Sequence, residues 1–295
     1  MTLVLEPLSF EFFRQGLIAS GLVGAVCGML GVYIVLRRMS YIGHGLSHSV
    51  FGGAVVGYVL SLNFYLAAGL WGFLSAIAIN ATARRRRIGA DAAIGIVTTA
   101  SFAIGVALIS RTRSFTRNFE AALFGNILGV TPLDLVVVAV VTVAVAVFIA
   151  LFYKRLLFLT FDPEVAPIYG VNVGLVDTLF ALAMAATIVA SINVVGVTLI
   201  AATLVIPATT ARVLTDSFGR MIGLSTAIGA LAGVIGMYLS YWLDISSGAT
   251  IVLLEAAMFV ASVLLTTIGR RRPAWAAVPR GSSVRRSGGR GEELD

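Results

Sequence analysis

The most constraining feature of this chain is a succession of apolar runs, each about 20 residues long, separated by short polar breaks from Arg14 to Ile268. Coiled as helices, runs of that length match the hydrocarbon thickness of a bilayer. Backbone polar groups in lipid must be satisfied within their own segment, and membrane barrels alternate apolar and polar residues instead of running continuously apolar. The expected fold is therefore all-α, a polytopic transmembrane helical bundle. Composition agrees, since 59% of the 295 residues are hydrophobic and 12% are charged, against about 25% charged in soluble domains. A soluble fold is excluded.

Spans are predicted at about 14–36, 41–60, 64–83, 91–110, 132–153, 171–192, 195–213, 221–243 and 248–268. That makes nine. Eight is the alternative count, because the second run is short and the breaks at Ser61–Asn63 and Asn193 are thin. The basic clusters Arg37-Arg38, Arg84 to Arg87, Lys154-Arg155, Arg212 with Arg220, and Arg270 to Arg272 all follow odd-numbered runs. The positive-inside rule then puts the N-terminus outside and the C-terminus in the cytoplasm; Arg111 to Arg117 is the one exception. This placement at helix ends also explains the net charge of +7 without nucleic acid. Residues 1–13 are expected outside, 14–268 form the membrane domain, and 269–295 form a basic, disordered cytoplasmic tail, solvated or in contact with anionic membrane lipid. The N-terminus carries Glu6 and Glu11 and no basic leader, so the first span is expected to direct insertion. The single cysteine, Cys27, permits neither an intrachain disulfide nor a cysteine metal cluster and reads as a buried hydrophobe.

Both histidines lie at the start of the second run, His44 and His48, four residues apart and hence on one helical face. Two neutral imidazoles there could ligate zinc, manganese or iron, with oxygen ligands from other helices completing the shell. The plainer reading makes one of them a packing or capping group, but ionisable groups at membrane depth are usually functional. A Ser47/His48 nucleophile pair is excluded, because adjacent helical residues point about 100° apart. Four acids lie at or inside runs. Asp91 and Asp244 sit near interfaces, whereas Asp177 and Glu255 must face the bundle, a partner chain or a wet cavity, as ligands or as hydrogen-bonded structural groups.

Leu159–Val171 mixes polar and apolar residues between an Asp-Pro start and a Gly stop, and predicts a short amphipathic helix outside the membrane that docks a cytoplasmic partner. The stretch from Arg117 to Thr131 is too short and too interrupted to span and predicts an outer or re-entrant helix. No phosphate-cradling loop is present, so any ATP is bound by another chain.

These segments, in order, resemble the permease family of manganese, zinc and iron ABC importers: GVYIVLRRMSYIGHGLSHSVFGG, DAAIGIV, LFGNILGV, FDPEVAPIYGV, VVGVTLIAATLVIPATTARVL and SGATIVL, over about residues 14–268. The resemblance implies a type II ABC importer-like bundle in the cytoplasmic membrane, forming a homodimer, with two cytoplasmic ATPase subunits that hold the ATP and an extracellular solute-binding protein. It implies no enzyme activity, no permanently bound cofactor, and transported Mn2+ or Zn2+ as cargo. His44, His48 and Asp91 become the metal-pathway residues. Asp162, Pro163, Glu164, Ala166, Tyr169 and Gly170 become the coupling segment in the ATPase cleft. The family's second-span motif commonly reads Gly-Asp-x-Leu-Ser-His; here His44 stands in place of the aspartate. Imidazole for carboxylate should shift preference from manganese toward zinc. The alternatives are a permease for a metal chelate or other small solute, and a non-transporting membrane anchor or intramembrane enzyme.

Overall fold

The computed structural model describes residues 5–83, 90–112, 123–125 and 129–269. After a short 3-10 turn at Pro7–Ser9, nine α-helices are found among these residues: α1 (Glu11–Leu36), α2 (Ser40–Val59), α3 (Phe64–Ala83), α4 (Ala90–Thr112), α5 (Pro132–Phe161), α6 (Val173–Val195), α7 (Ile200–Leu214), α8 (Phe218–Leu243) and α9 (Ser247–Gly269). Seven are long and apolar enough to cross a membrane. The other two are α2, whose first half carries Ser40, His44, Ser47, His48 and Ser49, and α7, which has 15 residues. The expected tail and the arginine cluster 84–87 lie outside the described residues, as does most of 117–131.

The helix ends follow local chemistry. Leu36 is followed by Arg37 and by Arg38, whose φ of 55° reverses the chain into α2. Asn63 Oδ1 accepts the amides of Tyr65 and Leu66 to start α3. Thr131 and Asp134 form a reciprocal capping box before α5, with Pro132 at its first turn.

Two boundaries differ from the sequence reading. The fifth helix passes through Lys154 and Arg155 and ends at Phe161, because both residues are good helix formers and the first true breaker is Asp162-Pro163. Consequently the amphipathic helix expected over 159–171 is absent: its first residues belong to α5, and 163–170 form consecutive turns. The second difference is the break between α6 and α7, expected near Asn193 and found at 196–199. Gly196 takes φ +86° there, and a Cβ on it would lie 2.4 Å from the amide nitrogen of Gly125, which itself takes φ +79°. The Thr198 amide and hydroxyl both donate to the Leu123 carbonyl, and the Ser246 hydroxyl donates to that of Phe124. Thus Leu123 to Gly125, Val194 to Thr198 and Ser246 to Gly248 meet at one end of the bundle through contacts that involve the backbone.

α1 and α6 are the most buried of the candidate spans, while α5 and α9 are peripheral. α1 packs most extensively on α8, α2 packs on α3 and α4, and α3 joins that second group to α6. The α1–α8 seam is a backbone contact: a Cβ at Gly24 would lie 2.0 Å from the Gly229 carbonyl oxygen, and one at Gly229 would lie 2.1 Å from that of Gly24. The Ser225 hydroxyl donates to the Gly28 carbonyl across the same seam at 2.6 Å. Close approach of small residues is how helices gain van der Waals contact where lipid removes the hydrophobic drive.

At the end opposite Arg37, buried Asp134 binds three elements together. It accepts from the Tyr65 hydroxyl of α3, from Asn193 Nδ2 of α6 at 3.1 Å, and from the Thr131 amide and hydroxyl at 2.7 and 2.8 Å. Asp134→Ala leaves the half-buried Tyr65 and Asn193 donors without this partner, and each buried group left unsatisfied costs about 1–3 kcal/mol. The purified variant should therefore unfold at a clearly lower temperature than the parent, with Asp134→Asn intermediate; equal midpoints for all three would show that the network contributes nothing.

Candidate functional site

His44 and His48 lie in the first half of α2 with ring centroids 4.6 Å apart and planes at 80°. His44 is exposed and stands next to Tyr41; His48 is half-buried, edge-on to Phe102 of α4 at 5.2 Å. Nδ1 of His48 is buried and has no hydrogen-bond partner among the described residues. Such a nitrogen is costly to leave unsatisfied unless it meets water or a ligand. The Ser47 hydroxyl points elsewhere and donates to the His44 carbonyl at 2.8 Å, in agreement with the exclusion of a serine–histidine pair. Among the described residues no three His, Cys, Asp or Glu side chains cluster to hold a metal. A metal ion at the pair would find two imidazole nitrogens and, among the described residues, no third His, Cys, Asp or Glu ligand.

Asp91 is not brought to the histidines. It sits in the first turn of α4 and lines a cavity of about 270 Å³ together with Arg37, Arg38, Tyr41, Asn80 and Asp177. Tyr41 is one helical turn before His44, so the cavity adjoins the Arg37 side of the pair. Asp177 faces the bundle, as expected, and its partner is Arg37: Nη2 donates to Oδ1 at 2.5 Å, with side-chain exposures of 12% and 21%. The Arg37 guanidinium also lies over the Phe180 ring, 5.5 Å from its centroid. In the sequence Arg37 stands out only as a marker of orientation. Glu255 is fully buried on α9, and neither carboxylate oxygen has a hydrogen-bond partner among the described residues, so the structural hydrogen bond weighed for it is not found. Asp244 is the left-handed cap of α8, and Cys27 is fully buried.

The segment after α5 is a string of turns anchored at one point. The Ala166 amide donates to the Asp162 carbonyl and the Val171 amide to that of Ala166, each at 3.1 Å, and Ala166 is completely buried. Around it Asp162, Pro163, Glu164, Tyr169 and Gly170 are exposed, Gly170 at φ +75°. Ile168 and Tyr169 are 81% and 68% exposed, and Tyr169 stacks on Phe158 of α5 at 5.4 Å. Exposed acids beside exposed large apolar groups, held on an ordered turn, suit the docking of a folded partner.

Residues 9–266 match the family described as "ABC 3 transport family". The manganese transport system membrane protein MntC of Listeria monocytogenes is 38% identical over 263 residues, covering 89% of this chain and 94% of that protein. The chelated iron transport system membrane protein YfeC of Yersinia pestis is 34% identical over 260 residues, covering 88% of each. Among solved structures, PsaBC from Streptococcus pneumoniae in complex with Fab superposes with a TM-score of 0.80 at 35% identity, covering 88% of this chain and 94% of the matched one.

Proposed function

This chain belongs to the ABC 3 transport family, and from that premise we propose that it is the permease subunit of an ATP-driven importer for a divalent transition-metal ion, manganese or zinc. It is not itself an enzyme; ATP is hydrolysed on a separate subunit. The observation that carries the cargo assignment is the His44/His48 pair, two imidazoles with ring centroids 4.6 Å apart on one face of α2, His44 exposed and His48 half-buried. Manganese is supported by the relatives named for its transport, zinc by imidazole at position 44.

α2 and α7 complete nine crossings beside the seven apolar helices. The chain enters from outside and ends in the cytoplasm, with the Arg37 end inside. Exposure of His44 on the bundle surface is supported physically if that surface faces a second copy of the chain and a wet path instead of lipid, since ionisable groups at membrane depth avoid hydrocarbon. A homodimer then supplies the missing ligands. An extracellular solute-binding protein delivers the ion at the Gly196 end, the ion rests between imidazoles that hold it loosely enough to let it go, and Asp91 is the next carboxylate on its way in. Asp162, Pro163, Glu164, Tyr169 and Gly170, held in place by the buried Ala166, dock on the ATPase, whose closure rocks the helices. A chelated ion is the second reading, favoured by the relative named for chelated iron.

The test is uptake of radioactive manganese and zinc by proteoliposomes holding this chain with its ATPase and binding protein. ATP-dependent uptake of one ion is expected. His44→Asp should raise the manganese-to-zinc ratio by about tenfold, equivalent to ~1.4 kcal/mol. Uptake of neither ion by the parent would overturn the reading.

A further inference from the structure

The Arg37–Asp177 pair occupies a position that its role as an ion pair does not exhaust. Asp177 lies in the first turns of α6, directly after the exposed turn segment 163–170. Arg37 is the cap of α1, and the reversal at Arg38 and Met39 joins it to α2, the helix of His44 and His48. The pair thus ties the element that docks a partner to the element that bears the histidines. Two further contacts stiffen the same turns of α6: Phe180 under the guanidinium at 5.5 Å, and Asn80 of α3 donating to the Thr178 hydroxyl at 2.8 Å. Beside the pair, the cavity of about 270 Å³ lies between Tyr41 and Ile42 of α2 and Phe180 and Met184 of α6. The first turn of α2 faces open space toward α6 there, and Arg37, just before it in the chain, is bonded to α6 through Asp177.

We propose that Arg37 and Asp177 are positioning residues that transmit movement of the 163–170 segment through α6 to the start of α2, setting the orientation of His44 and His48 in step with the ATPase. This rests on the permease reading above. A mostly buried, charge-assisted bond keeps its geometry while the helices around it shift, because separating it would strand both charges in a poorly solvated place. Displacement of the segment therefore draws α2 along, and the cavity gives α2 room to follow.

The experiment uses the full transporter in proteoliposomes, with manganese uptake and ATP hydrolysis measured together for the parent, Arg37→Asp, Asp177→Arg, and the double exchange. Each single reversal should hydrolyse ATP within about twofold of the parent yet move about tenfold less manganese, an uncoupling within the usual range for linked sites, and the exchange should recover most of the loss. An unchanged ratio of hydrolysis to uptake in the single variants, or an exchange no better than either, overturns the proposal. If the reversals do not assemble, Asp177→Asn should uncouple and Arg37→Lys should not; equal ratios in both overturn it equally. A readout independent of cargo separates this from failure of the permease reading. In a Cys27→Ser background, the thiol-labelling rate of Tyr41→Cys should change several-fold when a non-hydrolysable ATP analogue binds, and the change should vanish with Asp177→Asn. A parent that carries neither ion sinks the permease reading alone; a nucleotide response at position 41 that survives Asp177→Asn sinks the linkage alone.

Discussion

Replacing Gly24 with leucine is expected to leave no folded protein to purify. A Cβ at this position would stand 2.0 Å from the carbonyl oxygen of Gly229, and the obstacle is helix backbone, which no rotamer change removes. Overpacking where side chains can yield costs about 1–3 kcal/mol. Here the whole of α8 must withdraw from α1, giving up the most extensive helix contact in the bundle and the Ser225–Gly28 bond with it. Glycine lowers helix stability by only about 0.5–1 kcal/mol relative to alanine, so any propensity gain is outweighed. The control is Gly223→Ala on the same α8, where an added Cβ meets nothing within 4 Å and a neutral or slightly stabilising result is expected. Size-exclusion yield and thermal midpoint decide the matter: a monodisperse Gly24→Leu protein melting with the parent would show that the seam is not the structural centre argued here.

The second large effect concerns His48. His48→Ala should reduce metal uptake by about 100-fold or more, ~2.7 kcal/mol of lost stabilisation along the ion's path, while the permease still binds its ATPase. Alanine also removes the ring from Phe102, so the result alone would not separate ligation from packing. His48→Phe keeps an aromatic ring against Phe102 and removes the nitrogens, and it should transport as poorly as alanine. Parent-like uptake by His48→Phe would reduce the residue to a packing role.

Apolar run length carried most of the fold: the nine predicted runs correspond to nine helices among the described residues, seven of them long and apolar enough to cross a membrane, because in lipid an apolar stretch of this length has few alternatives to helix. Errors fell where the deciding interaction was elsewhere. Polarity at Lys154 was read as an end, although helix propensity there is undisturbed and only Asp162-Pro163 stops the backbone. The α6–α7 break was set at Asn193, whose side chain stays on the helix and serves Asp134; the actual break depends on Gly196 meeting Gly125, a contact no local pattern announces. The histidine pair was legible as an i, i+4 spacing. The Arg37–Asp177 pair was not, since 140 residues separate its members. Thr131-Pro-Leu-Asp134 is a capping-box pattern that marks Asp134, whereas Asp91, expected with the histidines on the metal pathway, stands at the cavity, apart from them.

The length of α5 bears on mechanics. Thirty helical residues extend about 45 Å, some 15 Å more than a hydrocarbon core, and in the orientation proposed above the surplus falls at the Lys154-Arg155 end that carries the turn segment. α5 is a peripheral rod fixed at its far end by the Asp134 clasp, which makes that clasp a pivot and the turn segment the tip of a lever. A tilt of about 3° about the pivot moves a tip 45 Å away by roughly 2 Å, comparable to the helix shifts by which proteins switch state. In that orientation, a push at the tip would reach the opposite membrane face along a single helix.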